Sequence, residues 1–356
     1  MHAATCGATG FPDGPVIVPR QPRQVTRASL FAFISKLCTN RQVTGSGAGR
    51  AGSSGVDEVG GRDEAIAARV SLAVAAKASA ENFPVALRVL PKRWRTHLSA
   101  LYGFARLTDD IGDEPLPGMP SGATPEQVTA TRIKLLDELQ RDVSRIYTGD
   151  EPELQVIKDL GRTVADCGIP AQPFYDLIQA NRQDQLVTRY ETYGDLEDYC
   201  KLSANPVGQV VLYIMNAATP ERITASDRVC TALQVIEHSQ DVAEDLANNR
   251  IYLPRQDMDT FGVTEQDLAQ PTASQQVKDL VRFEADRARQ ALDEGSPLVG
   301  TLKGMARLAI AGYVGGGRAT LKAITASGYD VLRSTPRPGK ADTLAMMTRC
   351  YVKGRG

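Results

Sequence analysis

The stretch Ala105-Arg106-Leu107-Thr108-Asp109-Asp110-Ile111-Gly112-Asp113-Glu114 organises the rest of the chain. Asp109 and Asp113 are four residues apart, so on a helix both carboxylates leave one face, one turn apart. Such a pair repels itself unless a cation sits between its members. Oxygen-only ligands suit a hard divalent ion, above all Mg2+, which takes few carboxylates and keeps several waters. The pattern recurs in Gln240-Asp241-Val242-Ala243-Glu244-Asp245, where Asp241 and Asp245 are again four apart. Two such faces, 132 positions apart (241 minus 109), are expected to oppose each other across a cavity and hold a diphosphate through bridging magnesium.

The surroundings of both clusters read as helices. From Lys92 to Asp113, apolar residues at Leu98, Leu101, Phe104, Ala105 and Leu107 form one helical face. Pro91 marks its start, and Pro115-Leu116-Pro117-Gly118 ends it. Pro125-Glu126 opens a second helix, with Leu135, Leu136, Leu139 and Val143 in helical spacing. Further helices are expected at roughly 151–167, 172–189, 195–217, 221–248, 273–292 and 301–327. Strand-like alternation is scarce. The expected fold is an all-α single domain of about eight to ten helices.

Composition excludes several function classes. Lys plus Arg is 41 against Asp plus Glu 42, so nothing general favours nucleic acid. Six scattered cysteines without Cys-x-x-Cys read as reduced thiols of a cytoplasmic protein. Three histidines are too few for a His-rich zinc site. No nucleophile elbow is present, and Gly315-Gly316-Gly317 lacks the Lys-Ser/Thr of a phosphate loop. No run of about 18 apolar residues exists, so no membrane-spanning helix is expected.

Domain organisation follows from composition shifts. Residues 1–62 read as a poorly ordered Gly/Ser/Arg-rich leader, 63–340 as the catalytic all-α domain and 341–356 as a C-terminal tail. The first 55 residues hold one acid, Asp13, against five Arg and one Lys, and include Leu30-Phe31-Ala32-Phe33-Ile34. An organelle transit peptide fits this; a lineage-specific tail or an early start is the preferred reading.

Around the acidic turns, the polar stripe Gln234, Glu237, Asp241 and Asp245 runs into Asn248-Asn249-Arg250-Ile251-Tyr252-Leu253-Pro254. Arg250 and Tyr252 there offer a cation and a phenol to anionic oxygens. Arg106 is read either as a phosphate contact or as a helical ion pair with Asp110. In Tyr199-Cys200-Lys201-Leu202-Ser203-Ala204-Asn205-Pro206-Val207-Gly208, Pro206 should kink or break the helix. The kink either frees carbonyls toward a cavity or is a packing notch. Phe83, Val207 and Val211 are candidate pocket walls, and equally good core residues.

At these residues the chain resembles the squalene/phytoene synthase family of head-to-head prenyl transferases. The similar segments are Glu81-Asn82-Phe83-Pro84 with Leu90-Pro91, Tyr102 to Asp113, Arg182-x-Asp184 with Arg189-Tyr190, Tyr199 to Gly208, and Gln234 to Pro254. The Glu81-Asn82-Phe83-Pro84 start, Ser203 to Gly208, and the Gly328-Tyr329-Asp330-Val331 and Thr335-Pro336-Arg337-Pro338 ending are similar to its bacterial hopanoid-pathway branch, HpnC. The resemblance implies a class I isoprenoid synthase-like helical bundle around a central cavity. It implies that Asp109, Asp113, Asp241 and Asp245 bind Mg2+, with Asp110 supporting the first motif. Arg106 and Arg250 would contact phosphates, beside Tyr252. Tyr102 and Asn205 would line the substrate, and Tyr199 and Gln234 would lie near the reacting carbons. Glu237 stands where many members carry Asn, and the Arg that phytoene-type members usually carry after the Tyr-Asx-Val segment is replaced by Ser334 or a neighbour. The membrane anchor of eukaryotic squalene synthases is not expected.

Within the HpnC branch the implied reaction is conversion of presqualene diphosphate to hydroxysqualene, with Glu237 and Asn205 positioning the capturing water. A presqualene diphosphate, squalene or phytoene synthase is the alternative enzyme. A helical isoprenoid-binding scaffold is the non-enzymatic one. The implied partners are a prenyl diphosphate, other enzymes of squalene and hopanoid synthesis and, because the substrate is oily, a membrane surface contacted peripherally.

Overall fold

The computed structural model describes residues 90–354 apart from 117 and 121. The expected leader at 1–62, Glu81-Asn82-Phe83-Pro84 and the candidate wall Phe83 lie outside the described residues. Among the described residues all regular structure is helical, with a single isolated bridge between Arg189 and Ile251. The all-α expectation holds there, with fourteen helices rather than eight to ten.

Helix α1 (Lys92–Asp113) buries Trp94, Leu98, Leu101, Phe104, Leu107 and Ile111, a stripe at three- and four-residue steps. It ends as Glu114, the residue before Pro115, turns extended. Helix α2 (Pro125–Thr148) opens with a capping box: Thr124 accepts from the Gln127 N–H, and the Gln127 side chain accepts from the Thr124 N–H. It closes on Gly149 in the left-handed region. Helices α3 (Gln155–Cys167) and α4 (Gln172–Gln183) follow. The expected helix over 172–189 ends early, because Thr188 and Tyr190 instead accept backbone hydrogen bonds from Ile251 and Arg255.

The helix expected over 195–217 is two, α5 (Tyr193–Ser203) and α6 (Asn205–Ile214), divided at Ala204. Pro206 sits in the first turn of α6, where its missing N–H leaves no bond unmade. The helix expected over 221–248 is likewise two, α7 (Pro220–Gln240) and α8 (Val242–Ala247), jointed at Asp241. The short helices α9 (Arg255–Phe261) and α10 (Glu265–Leu268) were not expected. Then come α11 (Gln275–Gly295), α12 (Leu298–Thr301) and α13 (Gly304–Ala326). Residues 341–356, set apart above as a tail, carry most of helix α14 (Lys340–Lys353), which packs along α13.

Helix α7 is the axis of the core, with α6, α11 and α13 packed around it. Its neighbours close in through glycines. A Cβ at Gly208 of α6 would fall 2.5 Å from Cys230 Sγ and Ser226 Oγ, and one at Gly317 of α13 would fall 2.6 Å from Leu233 Cδ2. Consequently every residue from Ala232 to Asp241 is buried. A polar stripe of this kind usually faces water, but this one faces the interior. Burial of side chains such as Phe104, Phe174 and Leu233, roughly 1.5–3 kcal/mol each, offsets the dehydration of that polar row.

Candidate active site

The first acidic turn ends α1. Asn181 of α4 donates to Asp109 Oδ1 at 3.4 Å and to the Leu177 carbonyl at 3.2 Å, which sets its amide against the turn. Gly112 makes that approach possible, since a Cβ there would lie 2.5 Å from Asn181 Oδ1. Arg132 of α2 caps the helix end by donating to the carbonyls of Gly112 and Glu114. Arg106 pairs along its own helix, with Nε 2.8 Å from Asp110 Oδ1 and Nη2 3.6 Å from Glu114 Oε1. Tyr102 lies one turn earlier and is half-buried.

The second acidic turn straddles the α7–α8 joint. Asp241 is buried, and its carbonyl accepts from the Asp245 N–H at 2.9 Å. Burial pushes the Asp245 carboxyl above its ordinary range, opposed by His238 and Arg250 and reinforced by Asp241. His238 Nδ1 stands 3.9 Å from Asp245 Oδ2.

Arg250 brings the two turns together. Its N–H donates to the Asp245 carbonyl at 2.9 Å, while Nη2 lies 2.9 Å from Asp113 Oδ1. Residues 137 positions apart in sequence thus meet at one guanidinium. The segment carrying Arg250 is pinned alongside residues 188–191, with Ile251 N–H donating to the Thr188 carbonyl at 2.9 Å. Arg189 locks the same junction by donating to Glu265 at 2.8 and 2.9 Å and to the Asn249 carbonyl at 2.8 Å.

An aromatic wall adjoins the turns. The Tyr252 and His238 rings stack at 3.6 Å, and Tyr190 and Tyr199 lie 5.7 and 5.8 Å from Tyr252. Tyr199 donates its hydroxyl proton to Asp184 at 3.0 Å. On the other side of His238, Nε2 meets the Gln234 amide at 3.1 Å. Glu237 is buried on the same helix, and Asn205 accepts from Thr231 Oγ1 at 3.0 Å. Val207 and Val211 are buried in α6.

The donor chemistry fits magnesium, since both turns offer only carboxylate oxygens. Among the described residues no three carboxylate, imidazole or thiol groups stand close enough to enclose a metal ion. The residues that would hold it are the four aspartates, one pair on each turn.

Sequence reasoning quoted Asp184 and Tyr190 without giving them a role, and passed over Asn181 and His238. For His238 a signal existed: it lies four residues after Gln234 and three before Asp241, on the polar stripe.

Residues 76–342 match the squalene/phytoene synthase family. The chain is 33% identical over 226 residues to a hydroxysqualene synthase of Rhodopseudomonas palustris, covering 63% of this chain and 72% of that protein. It is 30% identical over 266 residues to a 15-cis-phytoene synthase of Synechococcus elongatus, covering 71% and 82%. Among solved structures it is similar to squalene synthase HpnC from Alicyclobacillus acidocaldarius, with TM-score 0.64, 36% identity, and 75% of this chain and 95% of that one covered.

Proposed function

This chain belongs to the squalene/phytoene synthase family, and we propose that it converts presqualene diphosphate and water into hydroxysqualene and diphosphate, with magnesium as its metal. The observation that carries this reading is the meeting of both acidic turns at Arg250, which gathers the carboxylates and a phosphate-seeking cation at one place. The choice within the family is supported by similarity to the Rhodopseudomonas hydroxysqualene synthase and to the Alicyclobacillus HpnC.

When bound, magnesium neutralises charge building on the departing diphosphate. The aspartates supply its anchorage, and Arg250 meets phosphate oxygens directly. The carbon–oxygen bond breaks, and the diphosphate leaves with the electron pair. The carbocation then rearranges beside Tyr190, Tyr199 and Tyr252, whose ring faces favour positive charge. The surrounding apolar core keeps bulk water away. One water adds its oxygen to carbon and gives up a proton, oriented by buried Glu237 of α7 and by Asn205, which meets the same helix at Thr231. Neighbouring enzymes of squalene and hopanoid synthesis would supply the substrate and take the product.

The test is incubation of the purified chain with presqualene diphosphate and magnesium, with and without NADPH. Hydroxysqualene independent of NADPH is the expected product. Squalene formed only with NADPH, or phytoene formed from geranylgeranyl diphosphate, would overturn the assignment.

A further inference from the structure

Six large apolar side chains are notably exposed among the described residues, and three of them sit on α14: Leu344 at 59%, Tyr351 at 38% and Val352 at 72%. Singly exposed apolar residues need no explanation, but a cluster on one short helix does. At about 3.6 residues per turn, these three share one outer arc with Ala341, Ala345 and Thr348. Exposed Lys340 borders that arc on one side, and exposed Arg349 and Lys353 border it on the other. The one acid of the helix, Asp342, is turned to Lys322 of α13 at 2.6 Å.

The opposite face is firmly seated. A Cβ at Gly315 of α13 would fall 2.5 Å from Met347 N, so the two helices touch backbone to backbone. Cys350 is fully buried, and Arg307 donates to the Tyr351 carbonyl at the helix end. The helix therefore cannot roll to hide its leucine and valine. Only its first three residues, 340–342, fall within the stretch matched to the family.

We propose that the outer arc of α14 is a docking surface for an anionic lipid bilayer. Apolar side chains in the centre enter the interfacial region, and the flanking cations meet lipid phosphates. The arrangement is that of a helix lying in the plane of the interface. Its purpose rests on the proposed isoprenoid substrate, which partitions into membranes, but the docking itself does not depend on turnover.

The test is co-sedimentation of the full chain with vesicles of equimolar phosphatidylcholine and phosphatidylglycerol, and with phosphatidylcholine alone. Binding to the anionic vesicles, weakened by salt, is expected. The double variant L344E/V352E should bind at least about tenfold more weakly, and R349Q and K353Q about fivefold each. Turnover of detergent-dispersed substrate and the far-ultraviolet circular dichroism should match those of the parent chain. Failure of the reaction would leave vesicle binding intact, so the two readings fail separately. Absence of vesicle binding, or equal binding by L344E/V352E, would overturn the proposal. So would a parent dimer that this variant dissociates, since a second copy would then cover the face.

Discussion

Arg250 Nη2 lies 2.9 Å from Asp113 Oδ1, tying the segment after the second acidic turn to the last carboxylate of the first. Both side chains are largely buried, so the pair is weakly screened. A guanidinium there offsets repulsion between the turns and offers planar donors to a phosphate. Arg250→Ala should lower kcat/KM by about a hundredfold, as loss of one charge clamp does. Arg250→Lys should recover part of this, because charge returns without the fork. Steady-state kinetics on the prenyl diphosphate decides the matter; an Arg250→Ala enzyme within twofold of the parent would show that the cation does not serve the reaction.

Glu237 occupies the inner side of α7 at 1% exposure, where many relatives are expected to carry Asn. Its carboxyl can orient a water and accept its proton, whereas an amide accepts no proton. Glu237→Asn should therefore lower the alcohol share of the products and raise that of eliminated or rearranged hydrocarbons. Mass spectrometry of the extracted products measures that share, and an unchanged alcohol yield would count against the water-positioning role.

His238 is held by Gln234 at one ring nitrogen and by stacking on Tyr252 at its face, with Asp245 beyond the other nitrogen. His238→Phe keeps the stack and removes both nitrogens. If the imidazole orients the Asp245 carboxylate, this variant should need more magnesium for half-maximal rate, by roughly tenfold, as for supporting partners of metal ligands. A magnesium dependence identical to the parent's would limit His238 to packing.

Much of this site was legible because its signals are local. Asp109 and Asp113 fall at helical spacing on a strongly patterned helix, Pro125 opens α2, and Pro206 announces the break between α5 and α6. The joint at Asp241 was not legible. No proline or glycine lies between Val235 and Leu246, so tertiary packing sets that bend, not propensity. Burial of the polar stripe was hidden for the same reason, since it depends on glycines of three other helices. Residues 341–356 were read as a C-terminal tail, whereas most of them form helix α14, whose seat on α13 is a tertiary contact that local pattern does not announce.

Away from the site, Arg287 Nη1 lies 2.9 Å from Asp257 Oδ2 and 3.0 Å from Glu284 Oε2, with the guanidinium 4.1 Å over the Tyr193 ring. Burial pushes the Glu284 carboxyl from 4.5 up to about 8, with Arg287 opposing and Asp257 adding to the rise. The folded carboxyl thus keeps a proton that the unfolded one releases. Its contribution to stability is whole below pH 4.5 and is lost as pH rises to about 8. Glu284→Gln cannot ionise. Thermal unfolding across that window should show the parent losing stability relative to Glu284→Gln, on the order of a few kcal/mol. A difference that stays constant with pH would place the ionised form in the fold.

The central claim is that the two acidic turns jointly grip a diphosphate through a divalent cation. Calorimetric titration of inorganic diphosphate into the full chain, with and without Mg2+, tests it without any chemistry taking place. Binding should require magnesium and should be lost in Asp109→Ala and, separately, in Asp241→Ala, because each turn supplies part of the grip. Diphosphate binding of equal strength without magnesium, or retained in either variant, would contradict it.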